Sequence, residues 1–196
     1  MSRCASRSGT SAPPRTKKVS APQEPKLAYP EPHLANAEVL ALIRGKTFFT
    51  ANYKGNLMPP GAPYVGLFRD DTRYLSQLDL RINGHPPVPL SYSTEGAYAA
   101  QIELTVKGAV ETKGLDFPVN TVYVHREQLL ESDTLHDVIH LENFYQKRAK
   151  LLVEIDYDAD FMDIFQVRGI VRGKSGQYYA PVVTVDSIEF VYAGLD

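Results

Sequence analysis

The sequence predicts an all-β protein: an antiparallel β-sandwich with one short N-terminal helix and a disordered N-terminal tail. Three observations carry that expectation. From residue 38 onward the apolar residues recur mostly with a period of two, the spacing of strands with one face on a core. The runs are short and are separated by turn chemistry at Asn83-Gly84, Lys113-Gly114 and Gly173-Lys174-Ser175-Gly176. No helical patterns alternate with the strands, which argues for an antiparallel sandwich and against a parallel sheet.

Residues 1–34 form the expected tail. They hold Ser2, Ser6, Ser8, Ser11 and Ser20, many prolines, and six Lys or Arg against two Glu. With almost no periodic apolar pattern, such a stretch cannot offset the entropy of ordering its backbone. An organellar transit peptide shares this Arg/Ser-rich, acid-poor character, but a solvated tail accounts for it more simply. The domain of residues 35–196 follows. Ala35 to Arg44 reads as the one short helix, with Val39, Leu40 and Ile43 spaced for a single face. Strands are expected at Lys46–Asn52, around Leu78, Leu80 and Ile82, and around Ile102, Leu104 and Val106. Further candidates are Thr121–Arg126, Thr134–Phe144, Leu151 to Ile155, Ile164–Ile170 and Val182–Tyr192.

Composition narrows the partners. A chain of 196 residues, 43% hydrophobic, can bury a real core. Its net charge of -2 supplies no positive field for nucleic acid or an anionic membrane surface. No uncharged apolar run approaches the roughly 20 residues of a membrane span, and no apolar segment follows the basic N-terminal residues as in a signal peptide. The single cysteine, Cys4, excludes an intrachain disulfide and a cysteine-based zinc site. These features predict a cytoplasmic protein with no nucleic-acid and no membrane partner.

Several motifs imitate chemistry and fail on spacing. His136-Asp137-Val138-Ile139-His140 resembles a helical zinc signature with Asp in place of Glu. Its flanks continue a period of two, and on a strand His136 and His140 share a face on the order of 13 Å apart, too far for one ion. They read as exposed or cross-strand-paired histidines. Asp156, Asp158 and Asp160 imitate the start of a calcium loop, but Phe161 occupies the position needing glycine and Val167 the position needing glutamate. Acidic capping of a turn explains them better than a loose calcium site. There is no strained nucleophile elbow, and Gly61-Ala62-Pro63-Tyr64-Val65-Gly66 is a proline turn with no helix behind it to bind phosphate. Asp70, Asp71, Asp160 and Asp163 supply paired carboxylates of the kind glycoside hydrolysis places about 5 to 10 Å apart. Read as adjacent strand residues, Asp70 and Asp71 would point to opposite faces. Twelve tyrosines and eight phenylalanines with no tryptophan fill cores or stack on sugars, core packing being the stronger explanation for any one of them.

Two segments stand apart from ordinary strand patterning: Gly66-Leu67-Phe68-Arg69-Asp70-Asp71-Thr72-Arg73-Tyr74-Leu75-Ser76 and Asp160-Phe161-Met162-Asp163-Ile164-Phe165-Gln166-Val167-Arg168-Gly169. With Leu80-Arg81-Ile82-Asn83-Gly84, Val124-His125-Arg126-Glu127 and Leu141-Glu142-Asn143 between them, they resemble in order the N-terminal domain of bacterial and archaeal glycogen-debranching-type proteins, the amylo-α-1,6-glucosidase group. The resemblance covers roughly residues 45 to 172. One departure is Gln166, where that family usually has Glu.

The resemblance implies a β-sandwich that precedes an (α/α) barrel carrying the catalytic carboxylates. The chain holds no run of paired amphipathic helices for such a barrel, so it is expected to be a fragment or a truncated product without catalytic residues of its own. It also implies two partners, an α-glucan polysaccharide and a helical-barrel catalytic domain, in cis or on a neighbouring chain; with the metal-like motifs failing on spacing, no cofactor and no metal are expected. Asp71, Arg73, Asp160, Asp163 and Arg168 are then the candidate glucan-facing or domain-interface residues, expected to form ion pairs at a strand-end corner, with Arg168 in a buried pair. The alternatives are an independent α-glucan-binding module with a row of exposed tyrosines, and a small glycoside hydrolase in its own right.

Overall fold

The computed structural model describes residues 39–57, 64–107, 117–171 and 176–194. The expected tail, the first four residues of the expected helix and the Lys113-Gly114 turn lie outside them, as do residues 61–63 of the proline turn and residues 173–175 of the Gly173–Gly176 turn.

Val39–Arg44 forms β1, a strand and not the expected helix. It pairs along its whole length with β2 (Thr47–Asn52) across the Gly45-Lys46 turn. The helical reading took Val39, Leu40 and Ile43 as one face. The pattern that decides is instead Leu40 and Leu42 inward, both buried, with Val39, Ala41 and Ile43 outward. β2 pairs with β3 (Gly66–Arg69), and β3 with β4 (Thr72–Leu75). Asp70 and Asp71 are not strand residues. Both have positive φ, 44° and 65°, and make the two-residue turn joining β3 to β4. Such turns favour Asp and Asn because their short polar side chains tolerate the left-handed region.

After a break at Ser76 the chain continues as β5 (Gln77–Ile82), which pairs with β10 (Val153–Asp158). The facing sheet runs β6 (Val88–Glu95), β7 (Ala99–Thr105), β8 (Val122–Glu131) and β9 (Thr134–Asn143), all antiparallel. The core lies between. In one half Leu40, Leu42, Phe49, Ala51 and Leu78 meet Ala100 and Leu130. In the other, Leu80 and Ile82 meet Ile102, Leu104, Val122 and Val124. This is the antiparallel sandwich expected, with almost no helix.

The strand expected at Ile164–Ile170 is absent. Ile164–Val167 is instead a single helical turn, α1, started by a capping box: Asp163 accepts from the backbone of Phe165 and Gln166, and the Gln166 side chain accepts from the Asp163 N–H. The strand expected at Val182–Tyr192 is a two-stranded ribbon. In it β11 (Gln177–Tyr178) pairs with β14 (Tyr192–Ala193), and β12 (Val182–Val183) with β13 (Ile188–Glu189). The chain reverses at Thr184–Ser187, where the Thr184 N–H donates to the Ser187 carbonyl at 2.9 Å.

Candidate functional site

The two unusual segments meet because β4 and β5 are separated only by Ser76, and β10 with the residues after it contacts both in antiparallel order. Beyond the paired residues of β5 and β10 the backbone contacts continue. The Ser76 N–H donates to the Asp158 carbonyl, Arg73 to Met162 and Ile164 to Asp71, each at 2.8 Å. Residues about 90 positions apart therefore face one another at a single corner of the sandwich.

Arg73 is the centre of that corner. Its Nε donates to Asp160 Oδ1 at 3.1 Å and its Nη2 to Asp160 Oδ2, a bidentate fork. Nη1 donates to the Val65 carbonyl at 3.3 Å, and the guanidinium lies 6.0 Å from the centre of the Phe68 ring. Both ends of the pair are mostly buried, with side-chain exposures of 12% and 24%. The stem of Arg73 crosses Gly66, where a Cβ would sit 2.6 Å from Arg73 Cδ, so Gly66 is the space the arginine occupies. Planar, two-point pairing is what guanidinium offers and an ammonium does not.

The other predicted residues divide. Asp163 is engaged as the cap of α1, and Thr72 bridges to it across the edge of β4. Asp71 contributes its carbonyl to Ile164, while its side chain is exposed. Arg168 also has an exposed side chain and makes no ion pair among the described residues, so the buried pair expected for it does not form. Its backbone closes α1. Gln166, the departure from the family pattern, fills the capping position that Glu or Gln can both serve. The calcium-like aspartates are also dispersed: Asp156 pairs with Arg81 and Asp160 with Arg73.

Around these charges stands an aromatic cluster. Phe161 stacks on Tyr192 at 5.4 Å and meets Tyr74 edge-on at 5.7 Å, with Tyr178 at 6.0 Å. Phe161 holds φ at 50°, a region that costs a bulky residue on the order of 1 kcal/mol or more and persists only where surroundings enforce it. Three ring contacts and the adjacent ladder do so here. Burial, with Asp158 and Asp160 nearby, raises the pKa of Tyr178, so its hydroxyl stays a neutral donor and acceptor. Tyr74, Tyr178 and Tyr179 each leave between 42% and 46% of their surface exposed.

Two further polar groups lie outside the predicted site residues. Arg126, at an inward position of β8, is 0% exposed between the two halves of the core. It holds Asp137 through Nε and Nη2 at 2.8 and 2.6 Å, and its Nη1 donates to the Lys54 carbonyl and Asn56 Oδ1. Gln128, beside it, donates to the Gly55 carbonyl. Gly55 has φ of 74° and its missing Cβ would lie 2.7 Å from Gln128 Oε1, so the loop can settle onto this pair only as glycine. A charged residue in register with Val122, Val124 and Leu130 was the available signal.

The second group lies on the outer face of the same sheet. His125 has Glu103 2.9 Å from Nδ1 and Glu127 3.0 Å from Nε2, and Tyr123 donates to the other oxygen of Glu103. Glu127 and then Glu103 raise the pKa of His125, since only the imidazolium can donate to both carboxylates. His140 faces His125 across the strands with ring centres 5.9 Å apart, and His136 lies on the same strand, β9. Among the described residues no group of three or more His, Cys, Asp or Glu side chains is arranged to hold a metal.

Against known families, residues 42–196 match the model described as the N-terminal domain of some glycogen debranching enzymes. The chain belongs to this family. No curated protein matches the sequence. In this glycogen-debranching N-terminal domain, the Arg73–Asp160 corner and its aromatic rim join the two segments that carried the sequence resemblance.

Proposed function

We propose that this chain is a non-catalytic accessory β-sandwich of an α-glucan debranching amylo-α-1,6-glucosidase. In this reading it docks on a helical-barrel catalytic domain and helps shape the glucan cleft. The observation that carries the reading is how the corner's charges are used. Arg73 spends its donors on Asp160 and a backbone carbonyl, and Asp163 caps a helix. Groups held this way fix backbone geometry and are poorly suited to exchange protons with a substrate. Besides the exposed side chains of Asp71 and Arg168, the corner presents aromatic surface, which suits a domain interface or the apolar face of a sugar. A cytoplasmic setting fits the single cysteine.

The exposed Tyr74, Tyr178 and Tyr179 also favour a second reading, an independent α-glucan-binding module. Titration calorimetry separates the two. The full chain is titrated with the helical domain of a glycogen debranching enzyme and, separately, with a branched limit dextrin. Binding to the helical domain, weakened by Tyr74→Ala, supports the accessory reading. Dextrin binding by the chain alone, with no binding to the helical domain, overturns it in favour of the module.

A further inference from the structure

The ribbon of residues 177–193 is out of keeping with the rest of the domain. Among the described residues, no hydrophobic side chain beyond Ala159 is fully buried, so the ribbon adds nothing to either half of the core. Its sequence is nevertheless rich in β-branched apolar residues. Val182, Val183, Val185, Ile188 and Val191 are all exposed, Val183 at 69% and Val185 at 104%. A two-stranded ribbon with no covering layer is marginal in water. Val183 and Ile188 pair directly across it and put two exposed apolar side chains on one face, and uncovered apolar surface of this kind marks an interaction site.

The ribbon is nonetheless shaped. Its base is held by the Tyr192–Phe161 stack and by the Gly176 N–H donating to the Tyr192 hydroxyl at 2.7 Å. Its tip is fixed by Thr184, whose hydroxyl bonds Asp186 and accepts from the Ser187 N–H. The base is thus continuous with the aromatic corner.

Charge selects the occupant. From Gln177 to Ala193 the only charged residues are Asp186 and Glu189, with no Lys, Arg or His. Pairing two copies edge to edge gathers four like charges, and an anionic lipid surface repels them. A protein surface that is apolar at its centre and bears Lys or Arg at its rim satisfies both features. We propose that the ribbon is a docking arm whose partner is such a surface on the helical catalytic domain. This rests on the accessory reading above and assigns it a contact surface and a partner chemistry.

The test is calorimetric titration of the full chain with the helical domain, comparing wild type with Val183→Asp/Ile188→Asp and with Asp186→Lys/Glu189→Lys. Thermal melting of each variant checks the fold, which these exposed positions are expected to leave intact. Both variants are expected to bind roughly tenfold or more weakly, as when a charge enters a desolvated contact or meets its own sign. If wild type binds and both variants match it, the ribbon inference fails while the accessory reading stands. If sedimentation shows a dimer of the chain that Val183→Asp/Ile188→Asp dissolves, a second copy covers the ribbon and the inference is also overturned. No binding by wild type contradicts the accessory reading itself.

Discussion

Replacing Arg73 by Ala asks whether the corner's charges hold the fold. The substitution strips Asp160 of its two-point partner, leaves the Val65 carbonyl without its donor, and opens a gap over Gly66 and Phe68. Removing one member of a fully buried pair costs about 3–5 kcal/mol, whereas exposed pairs are worth about 1 kcal/mol or less. Asp160 keeps some exposure and a hydrogen bond from the Met162 N–H at 3.2 Å. The expected loss is therefore about 2–3 kcal/mol, a large share of a typical domain stability of about 5–15 kcal/mol. Asp160→Ala also removes the side-chain acceptor of the Met162 N–H and should cost a similar amount. The double variant should cost clearly less than the sum, with a coupling of about 1–2 kcal/mol. Urea unfolding, read as a shift of midpoint at constant slope, measures all three. A loss under about 0.5 kcal/mol for Arg73→Ala, or additive single effects, refutes the structural role.

Other perturbations follow from the same geometry. Asp137→Ala leaves Arg126 buried with only a carbonyl and an amide oxygen as acceptors, and is expected to lower stability by about 3 kcal/mol or more in urea unfolding. Arg168→Ala, by contrast, should stay within about 0.5 kcal/mol of wild type in the same assay, because its side chain is exposed and unpaired among the described residues. His125 should titrate above its ordinary 6.5 in an NMR titration, and Glu127→Gln should lower that midpoint. Because the folded pKa is the higher one, His125 adds its full stability below the unfolded value. It loses that contribution as pH rises through the folded midpoint. A midpoint at or below 6.5 contradicts the paired-imidazolium geometry.

The sandwich was legible in the sequence because period-two alternation and Asn-Gly chemistry are local signals. Leu78, Leu80 and Ile82, for instance, sit inward as their spacing requires. The misread elements are those where two local codes compete. Val39, Leu40 and Ile43 fit a helical face, but the pairing of β1 with β2 selects Leu40 and Leu42. At Asp163-Ile164-Phe165-Gln166 an apolar alternation hides a capping box, and there the cap decides. Of the candidate site, Arg73, Asp160 and Asp163 proved to share a corner, whereas Arg168 faces outward. No local pattern could pair residues some 90 positions apart, since that contact depends on β10 and the residues after it running beside β5 and then β4. The inward place of Arg126 was legible from its register with Val122, Val124 and Leu130, but its partners were hidden for the same reason, because they come from the loop after β2 and from β9.

The central claim is that this domain's charged corner holds structure and does not cleave a glycosidic bond. Incubating the purified chain with a branched limit dextrin and measuring glucose tests it most directly. Release no greater than a protein-free blank is predicted. Release above the blank that Asp160→Ala or Asp163→Ala abolishes, in variants still folded, would contradict it.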